Sequence, residues 1–278
     1  MNSFSKNPSS SVIISVYTDH VALEIILDCL NKQTVDNFEI IVSEDGEDSN
    51  IKKVTEAFTP KTATVKHLTQ EDSGFRKNIA LNRAISAANT EHLIFIDGDC
   101  LPHPGFITSH QAYAKQGVAC TGRRLELGKQ ISTKIRKKNI TLKQLTTRFL
   151  YFINIYPLLR DGAKNIECGI YSRLLQRITR NREIRLLGCN FSCNKQDLIK
   201  INGFNEEYLS PGIGEDSDID WRLIKSGVKI KNVKFSAIQY HLHHPRSYIV
   251  SGDSQALFAK TRLSDSYICQ KGIQHLNI

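Results

Sequence analysis

The sequence lacks an apolar run long enough to cross a membrane. A helix that spans a bilayer needs about 20 consecutive apolar residues, and the nearest approach, FLYFINIYPLL at residues 149–159, is too short. The N-terminal stretch MNSFSKNPSS is polar and lacks the apolar region of a signal peptide. We therefore expect a cytoplasmic protein without a membrane-spanning segment.

Cysteines are few, and their spacing shows no pairing. There are seven, an odd number, and only Cys189 and Cys193 lie close together. No residues near them complete a zinc-binding set. This pattern favours free thiols in a reducing compartment.

Internal repeats and low-complexity tracts are absent as well, and the first 120 residues alternate between strand and helix patterns. Strands separated by helices predict βαβ units, a parallel sheet and an open α/β fold. In such folds ligands bind outside the carboxyl ends of the strands, which places Tyr17, Asp45 and residues 97–99 along one edge. The predicted strands cover residues 11–17, 38–44, 62–68 and 92–96, and the predicted helices cover residues 19–33, 51–58 and 75–88.

Positive charge is concentrated in one segment. The net charge is +9, and residues 123–187 contain 16 Lys or Arg against 4 Asp or Glu. This segment has a helical pattern and is predicted to be a basic helical insertion between a first half, residues 1–122, and a second half with a C-terminal tail, residues 188–278. An anionic partner at one place would explain the charge, and so would an ordinary solvated helical face.

Two carboxylates end the buried strand HLIFI. Asp97 and Asp99 follow it and are separated by Gly98. Such a pair can hold a hard divalent cation whose other positions are filled by phosphate oxygens and water. Taken alone, the motif is also explained by an Asp-Gly turn after a strand.

A second acidic group lies in GIGEDSDIDWRL, residues 212–223. The glycines predict a mobile loop, and Glu215 and Asp216 fall in the first turn of a helix. Acidic residues there complement the helix dipole, but four carboxylates between Glu215 and Asp220 exceed what capping requires. A carboxylate beside a flexible loop is well placed to be a general base that closes over a substrate.

Histidines and basic residues complete the candidate site. In YHLHHPR, strand geometry would put His241 and His243 on one face and His244 on the other, and one imidazole could complete an oxygen-rich metal shell. Arg76 and Lys77 open a predicted helix directly before the strand with the acidic pair. Basic side chains at a helix N-terminus suit a diphosphate.

The order of these features resembles that of family 2 glycosyltransferases with the GT-A nucleotide-sugar-binding fold. The resemblance rests on SVIISVYTDHVALEIILDCLNKQTVDNFEIIVSEDG and DSGFRKNIALNRAISAANTEHLIFIDGDC. The stretches NGFNEEY, GEDSDIDWRL and YHLHHP resemble the branch with bacterial chondroitin-type polymerases and the C-terminal half of β-1,4-galactosyltransferases. The resemblance covers about residues 10–120 and 186–245, and the basic stretch lies outside it. It implies that residues 1–122 are the donor-binding half and that residues 188–278 are the acceptor-binding and catalytic half with a tail.

The resemblance implies roles for residues at the strand ends. The nucleotide base would be gripped by Tyr17 and Asp45, with Glu44 adjacent. The DxD motif of the family falls on Asp97 and Asp99, with Asp99 the direct ligand of Mn²⁺ or Mg²⁺ and Asp97 beside it as a ligand of metal or donor.

The resemblance also implies roles for residues of the second half. The ED motif falls on Glu215 and Asp216, of which Asp216 is the expected catalytic base. The metal-binding histidine falls on His241, with His243 and His244 as alternates.

The resulting expectation is a metal-dependent inverting transfer of a sugar from a nucleotide-diphosphate donor, with the family leaning to UDP. Asp216 would take the proton of an acceptor hydroxyl, and Arg76 or Lys77 would stabilise the leaving diphosphate with the metal. Asn190 and Trp221 are expected to contact the acceptor, a glycan or lipid-linked glycan of surface polysaccharide or lipopolysaccharide synthesis.

The basic segment, residues 123–187, is expected either to form a lid over the acceptor or to rest on an anionic membrane surface on the inner face. An interfacial helix would use the interleaved apolar residues Ile131, Ile135, Leu142, Leu145, Phe149 and Leu150.

Three other functions fit parts of the sequence. A sugar nucleotidyltransferase should carry a Gly-rich basic loop after the first strand, and VYTDHVALE has none. A nucleic-acid-binding protein would explain the charge but not the acidic pair, the ED loop and the histidines together, so no nucleic-acid partner is expected. A non-catalytic sugar-binding protein remains an alternative.

Overall fold

The computed structural model describes residues 9–61, 64–146, 155–212, 215–245 and 252–275. Its first half alternates strands and helices as the sequence predicts. Asp19, the predicted helix cap, accepts a hydrogen bond from the main-chain nitrogen of Ala22 at 3.0 Å. The elements are β1 (Ser10–Val16), α1 (His20–Leu30), β2 (Phe38–Glu44), α2 (Ser49–Ala57), β3 (Val65–Leu68), α3 (Lys77–Ala87) and β4 (His92–Asp97).

The second half contains shorter elements. Two single turns of 3₁₀ helix, Ile166–Gly169 and Ile273–His275, accompany them. In chain order they are β5 (Cys100–Pro102), α4 (Phe106–Gln111), β6 (Val118–Thr121), β7 (Arg123–Glu126), α5 (Lys129–Arg136), α6 (Leu142–Thr146), α7 (residues 155–160), α8 (Arg173–Thr179), β8 (Asn190–Asn194), α9 (Lys195–Lys200), α10 (Glu215–Lys225), β9 (Lys229–Asn232), β10 (Ile238–His241) and α11 (Gly252–Leu263).

Seven strands form the main sheet, in the order β3-β2-β1-β4-β8-β6-β9. All neighbours are parallel except that β8 runs antiparallel to both β4 and β6. The predicted parallel sheet is therefore a mixed one. The reversal follows from where β8 begins: Asn190 pairs with Ile96 at the carboxyl end of β4, so β8 must run back from that edge.

Three strands form a second, smaller sheet, in the order β5-β10-β7. The middle strand, β10, is antiparallel to β5 and parallel to β7, and its last residue, His241, pairs with Cys100 and with Glu126. The basic segment therefore does not begin as a helix, because residues 123–126 are recruited into this sheet.

The main sheet is buried on both faces. In β1, Val12 and Ile14 pack into one apolar cluster with α1, whereas Ile13 packs into another with α3 and α10. Burial on both sides explains why β1 and β4 are continuous apolar runs rather than alternating ones. All seven cysteines are free and buried.

The predicted interfacial helix is corrected by the burial of α5. Ile131 and Ile135 lie in the core, and Leu142 packs against it, so these three residues do not form an exposed apolar face. Phe149, Leu150 and the side chain of Leu145 lie outside the described part of the chain. Within the described residues, no helix combines the length and the apolarity that crossing a bilayer requires.

Candidate active site

The carboxyl ends of β1, β2 and β4 open into a cleft of about 1150 Å³. Because parallel strands end at one edge, residues that follow different strands meet there. The predicted residues Tyr17, Asp45, Asp97 and Asp99 all line this cleft. The Asp45 carboxylate is held by the Gln70 side chain at 2.7 Å and by the main-chain nitrogen of Arg76 at 2.8 Å.

Gly98 is required by the close approach of β4 to β1. Its main-chain nitrogen donates to the carbonyl oxygen of Ser15 at 2.7 Å. A Cβ at this position would lie 2.9 Å from that oxygen and from Cγ1 of Val16, closer than real Cβ atoms come. The glycine therefore lets the chain turn tightly against β1, and both aspartates face the cleft.

Asp99 forms a cluster with two histidines. Its Oδ2 lies 3.2 Å from Nε2 of His241 and 3.1 Å from Nε2 of His244, and one ligand atom from each residue lies within 4.8 Å of the others. The second sheet creates this arrangement, because the register of β5 and β10 puts His241 opposite Cys100. One carboxylate and two imidazoles at this spacing are a suitable ligand set for a divalent metal ion.

The second histidine of the cluster is His244, and the expected alternation of faces does not apply to it. Strand β10 ends at His241, so the period of two does not continue to residues 243 and 244. His243 lines the cleft but is outside the cluster, and its main-chain nitrogen donates to Oγ of Ser132 at 2.8 Å.

The charge of Asp99 is set by the same contacts. Burial alone would raise its pKa, but the hydrogen bonds from His241 and His244 outweigh that effect and hold the pKa well below its usual value. The Asp99 carboxylate is therefore an anion at neutral pH, as a metal ligand must be.

Lys77 lies between two of the predicted acidic motifs. Its Nζ is 3.0 Å from Oδ1 of Asp97 and 3.3 Å from Oε2 of Glu215. Burial would lower the pKa of Lys77, but Asp97, Glu215 and Asp216 raise it well above the usual value. The ammonium thus links the end of β4 to the start of α10, and Asp97 pairs with it rather than joining the cluster around Asp99.

Asp216 lies in the first turn of α10 and faces the cleft. Its Oδ2 accepts a hydrogen bond from the main-chain nitrogen of Gly188 at 2.9 Å. Burial raises the pKa of both Asp216 and Glu215, and Lys77 opposes the rise in each case. A carboxylate with a raised pKa is a stronger base than an ordinary aspartate, which suits proton abstraction.

The other acidic residues of α10 are structural. Asp218 pairs with buried Arg222 at 2.5 Å, and Arg222 also donates to the carbonyl oxygens of Ile201 and Gly203. Asp220 accepts from the main-chain nitrogen of Leu186 at 2.9 Å. The surplus of carboxylates beyond helix capping therefore serves packing as well as the cleft.

Two predicted donor-binding side chains point away from the cleft. The Glu44 carboxylate is occupied by Nε2 of His67 at 2.6 Å and by the main-chain nitrogen of Asp48 at 2.5 Å. The Arg76 guanidinium donates to the carbonyl oxygen of Glu71. Neither residue is among the described residues that line the cleft, so Glu44 supports the edge of the sheet, and only the main chain of Arg76 reaches the site, through Asp45.

The two predicted acceptor-binding residues, Asn190 and Trp221, make contacts outside the described cleft. Asn190 is fully buried, and its side-chain nitrogen donates to the carbonyl oxygens of Arg123 and Ala237. Trp221 packs on the outer part of α10, with Nζ of Lys225 4.8 Å from its ring centroid. Among the described residues, neither contributes to the cleft wall, and Asn190 instead ties the main sheet to the second sheet.

The basic segment supplies part of the cleft wall that the sequence analysis did not identify. Arg124, Lys129 and Lys164 line it, and Nη1 of Arg124 donates to Sγ of Cys189 at 3.3 Å. Arg124 and Glu126 lie two residues apart on β7, and both face the cleft, as alternation in a strand requires. The high charge of residues 123–187 was the signal, but the strand that orients Arg124 was not predicted.

Solved structures with the same architecture are those of glycosyltransferases. The chain is similar to GalNAc-T7 solved with UDP, GalNAc and Mn²⁺, with a TM-score of 0.61 and 13% identity over 92% of this chain and 47% of that one. It is similar to the mannosyltransferase PcManGT from Pyrobaculum calidifontis, solved with GDP-Man and Mn²⁺, with a TM-score of 0.53 and 17% identity over 87% and 59%. The fold is therefore the GT-A fold of nucleotide-sugar glycosyltransferases.

Comparison with protein families also identifies a glycosyltransferase and specifies the family. Residues 11–173 match the family described as Glycosyl transferase family 2, and residues 175–245 match the one described as N-terminal domain of galactosyltransferase. The chain belongs to glycosyl transferase family 2.

Curated relatives align with most of the length of this chain. Chondroitin synthase from Escherichia coli is 26% identical over 84% of it, and validoxylamine A glucosyltransferase from Streptomyces hygroscopicus subsp. jinggangensis is 31% identical over 80%. The chain spans 35% of the length of the first and 52% of the second.

Proposed function

We propose that the chain is an inverting glycosyltransferase that moves a sugar from a UDP-sugar to a hydroxyl of a glycan or lipid-linked glycan. Surface polysaccharide or lipopolysaccharide synthesis is the process in which such acceptors occur. The observation that carries the proposal is that Asp216 and the cluster of Asp99, His241 and His244 line the same cleft at the ends of β1 and β4. A base and a metal-binding group are both needed for this reaction.

The residues of the chain divide the work. Tyr17, whose ring is half exposed, and Asp45 flank the end of the cleft suited to the nucleotide base. Asp216 takes the proton from the acceptor hydroxyl as its oxygen forms a bond to the anomeric carbon, and the bond from that carbon to the nucleoside diphosphate breaks. A single displacement of this kind inverts the anomeric centre.

The cluster around Asp99 would hold the metal ion, which supplies stabilisation of the charge on the leaving diphosphate. Mg²⁺ takes oxygen ligands almost exclusively, so of the two expected ions, Mn²⁺ and Mg²⁺, the two imidazole nitrogens suit Mn²⁺ better. Lys77 keeps Asp97 and Glu215 in place beside this cluster, at 3.0 and 3.3 Å from its Nζ.

The charges in the cleft favour this reaction over binding of a nucleic acid. Eight carboxylates line it, and they would repel a polyphosphate backbone that is not accompanied by metal ions. The residues between β1 and α1 contain no glycine, unlike the Gly-rich loop of a nucleotidyltransferase, and Asp19 among them caps α1.

The test compares Asp216→Asn with wild type. Loss of a positioned general base lowers turnover by about 10²–10⁴-fold, whereas the isosteric amide should leave donor affinity unchanged. A thermal-shift screen of nucleotide sugars with Mn²⁺ identifies the donor, and release of its nucleoside diphosphate with a panel of acceptors measures turnover. Asp265→Asn, an exposed site far along the chain in the segment after α11, is the matched control. Normal turnover by Asp216→Asn would remove Asp216 from the role of base.

A further inference from the structure

Helix α8 buries polar side chains and exposes apolar ones. Gln176 and Thr179 face the protein and are buried, whereas Leu174, Leu175 and Ile178 are exposed, Leu174 to 68% and Ile178 to 57%. In a helix on the surface of a globular domain the apolar side chains normally face the core. The arrangement is therefore the reverse of what core packing alone would select.

Specific hydrogen bonds fix this orientation. The Gln176 side chain donates to the carbonyl oxygen of Asn232 at 2.5 Å and accepts from the main-chain nitrogen of Phe235 at 3.1 Å. The main-chain nitrogen of Ser172 donates to the carbonyl oxygen of Phe235 at 3.0 Å. Because Leu174 and Ile178 are four residues apart, they share a face, and that face lies opposite the one that Gln176 docks.

Exposed apolar side chains are concentrated in this part of the chain. Among the described residues, six of the eleven large apolar side chains that are exposed lie between Tyr156 and Ile178. Scattered single exposed residues need no explanation, but a concentration marks an interaction site. We name as the α8 patch the side chains of Tyr171, Leu174, Leu175 and Ile178 together with the arginines Arg173, Arg177, Arg180 and Arg182.

The arginines of the α8 patch have no ion-pair partner in the described part of the chain. All four are exposed, and within the described part of the chain none has a carboxylate oxygen within 4.0 Å, whereas Arg185 nearby pairs with Asp220 at 3.2 Å. Residues 171–185 contain five Arg and one Glu. The apolar face thus carries a surplus of positive charge along its length.

We propose that the α8 patch docks the protein onto an anionic lipid leaflet. An apolar row flanked by arginines matches such a surface, because the apolar side chains enter the boundary of the acyl chains while the guanidinium groups stay at the headgroups. An acidic protein partner would pair with the arginines, but it would not explain why the apolar side chains of Leu174 and Ile178 are exposed. The docking rests on the proposed function for its role, since an enzyme held at a membrane would meet lipid-linked acceptors there, but vesicle binding itself does not require catalysis.

The experiment is flotation of the full chain with vesicles of phosphatidylcholine alone and of phosphatidylcholine with phosphatidylglycerol. We expect binding to the anionic vesicles at low salt, weakened by 1 M salt because charge attraction is screened. The variants L174S/I178S and R173Q/R177Q should each weaken binding by roughly tenfold or more. The matched controls are L263S, at a leucine that is 88% exposed on α11, and K52Q/K53Q on α2; both should bind as wild type does.

The outcomes separate the possible occupants of the α8 patch. Absence of binding to anionic vesicles at low salt, or binding that both patch variants retain, overturns the proposal. A lipid-free dimer in sedimentation velocity that L174S/I178S dissociates would assign the patch to a second copy of the chain and also overturn it. All four variants should keep wild-type release of nucleoside diphosphate with a water-soluble acceptor, so failure of the proposed function would appear as lack of turnover in wild type and would leave the vesicle result intact.

Discussion

The main-chain nitrogen of Gly188 lies 2.9 Å from Oδ2 of Asp216, and the space beside its Cα is filled by the same carboxylate. A Cβ on residue 188 would overlap Oδ1 of Asp216. A side chain on residue 188 would therefore force the Asp216 carboxylate away from its present position. Gly188 positions the proposed base without taking part in the reaction.

Gly188→Ala should lower turnover by at least about tenfold, because the Asp216 carboxylate must move and a small displacement of a catalytic group is costly. Donor affinity should change little. The measurement is turnover and donor affinity of Gly188→Ala beside Gly252→Ala, a position where a Cβ would meet nothing within 4 Å. Equal turnover in the two variants would show that Asp216 has room to adjust.

His244→Ala and His241→Ala should each weaken Mn²⁺ binding, whereas His243→Ala should not. Only the first two side chains approach Asp99. Even outer-shell partners of a metal contribute roughly 10–100-fold to affinity, so the loss of a direct ligand should reach that range. Calorimetric titration of Mn²⁺ in the presence of UDP measures it. A larger loss of Mn²⁺ affinity in His243→Ala than in His244→Ala would show that His243, not His244, is the metal ligand.

As the pH is lowered, turnover should begin to fall at a higher pH than it would if the base were an aspartate with an ordinary pKa. Asp216 must be deprotonated to accept a proton, and burial raises its pKa above the usual 3.8. Activity is thus present above the raised pKa and is lost as the pH falls through it. The acid side of the pH profile of turnover divided by KM, measured at saturating Mn²⁺, reports this pKa. A limb at or below pH 3.8 would contradict the raised pKa.

Lys77→Met should shift the same acid limb to higher pH and lower the melting temperature. Lys77 lowers the pKa of Asp216 and pairs with Asp97 and Glu215, so its removal leaves these carboxylates to repel one another. The stability loss should stay below the about 3–5 kcal/mol typical of a fully buried pair, because the Lys77 side chain is 18% exposed. Lys77→Arg should restore part of both properties. If the acid side of the pH profile of Lys77→Met were the same as that of wild type, Lys77 would not influence the pKa of Asp216.

The fold should lose stability between pH 6.5 and about 4. Burial lowers the pKa of His92 to about 4 and that of His110 to about 3. Below pH 6.5 the unfolded chain binds protons at these histidines and the native state does not, so each contributes a loss of about 1.4 kcal/mol per pH unit at most. Urea unfolding at several pH values should show a shallower slope for His92→Gln than for wild type. Identical slopes would mean that His92 is protonated in the native state.

The features read correctly from the sequence are local ones. The apolar runs before Asp97 and Asp45 and the helix start at Lys77 depend on neighbouring residues, and the chain folds as they predict. That Tyr17, Asp45 and Asp99 share a cleft follows from the rule that the carboxyl ends of parallel strands converge at one edge.

The features that were missed depend on contacts between distant segments. Strand alternation put His241 and His243 on one face, but His244 is the histidine that joins His241 beside Asp99, because β10 ends at His241 and the sequence does not mark that end. Asn190 and Glu44 are polar residues near the expected site, but their partners, such as Ala237 and His67, are distant in sequence. The importance of Gly188 also appears only when α10 is placed against it.

Strand β10 is the middle strand of the second sheet, and two of the three residues of the cluster proposed to hold the metal, His241 and His244, lie at its end or just after it. During synthesis, Asp99 leaves the ribosome well before its partners, since more than a hundred residues separate it from His241 and His244. The four parallel strands β1 to β4 can pair in the meantime, but β5 and β7 have no neighbour in their sheet until β10 arrives. The nascent chain can therefore pair β1 to β4 early, whereas the cluster proposed to hold the metal forms late. Metal binding, if the cluster holds the ion, would report that the second sheet has formed.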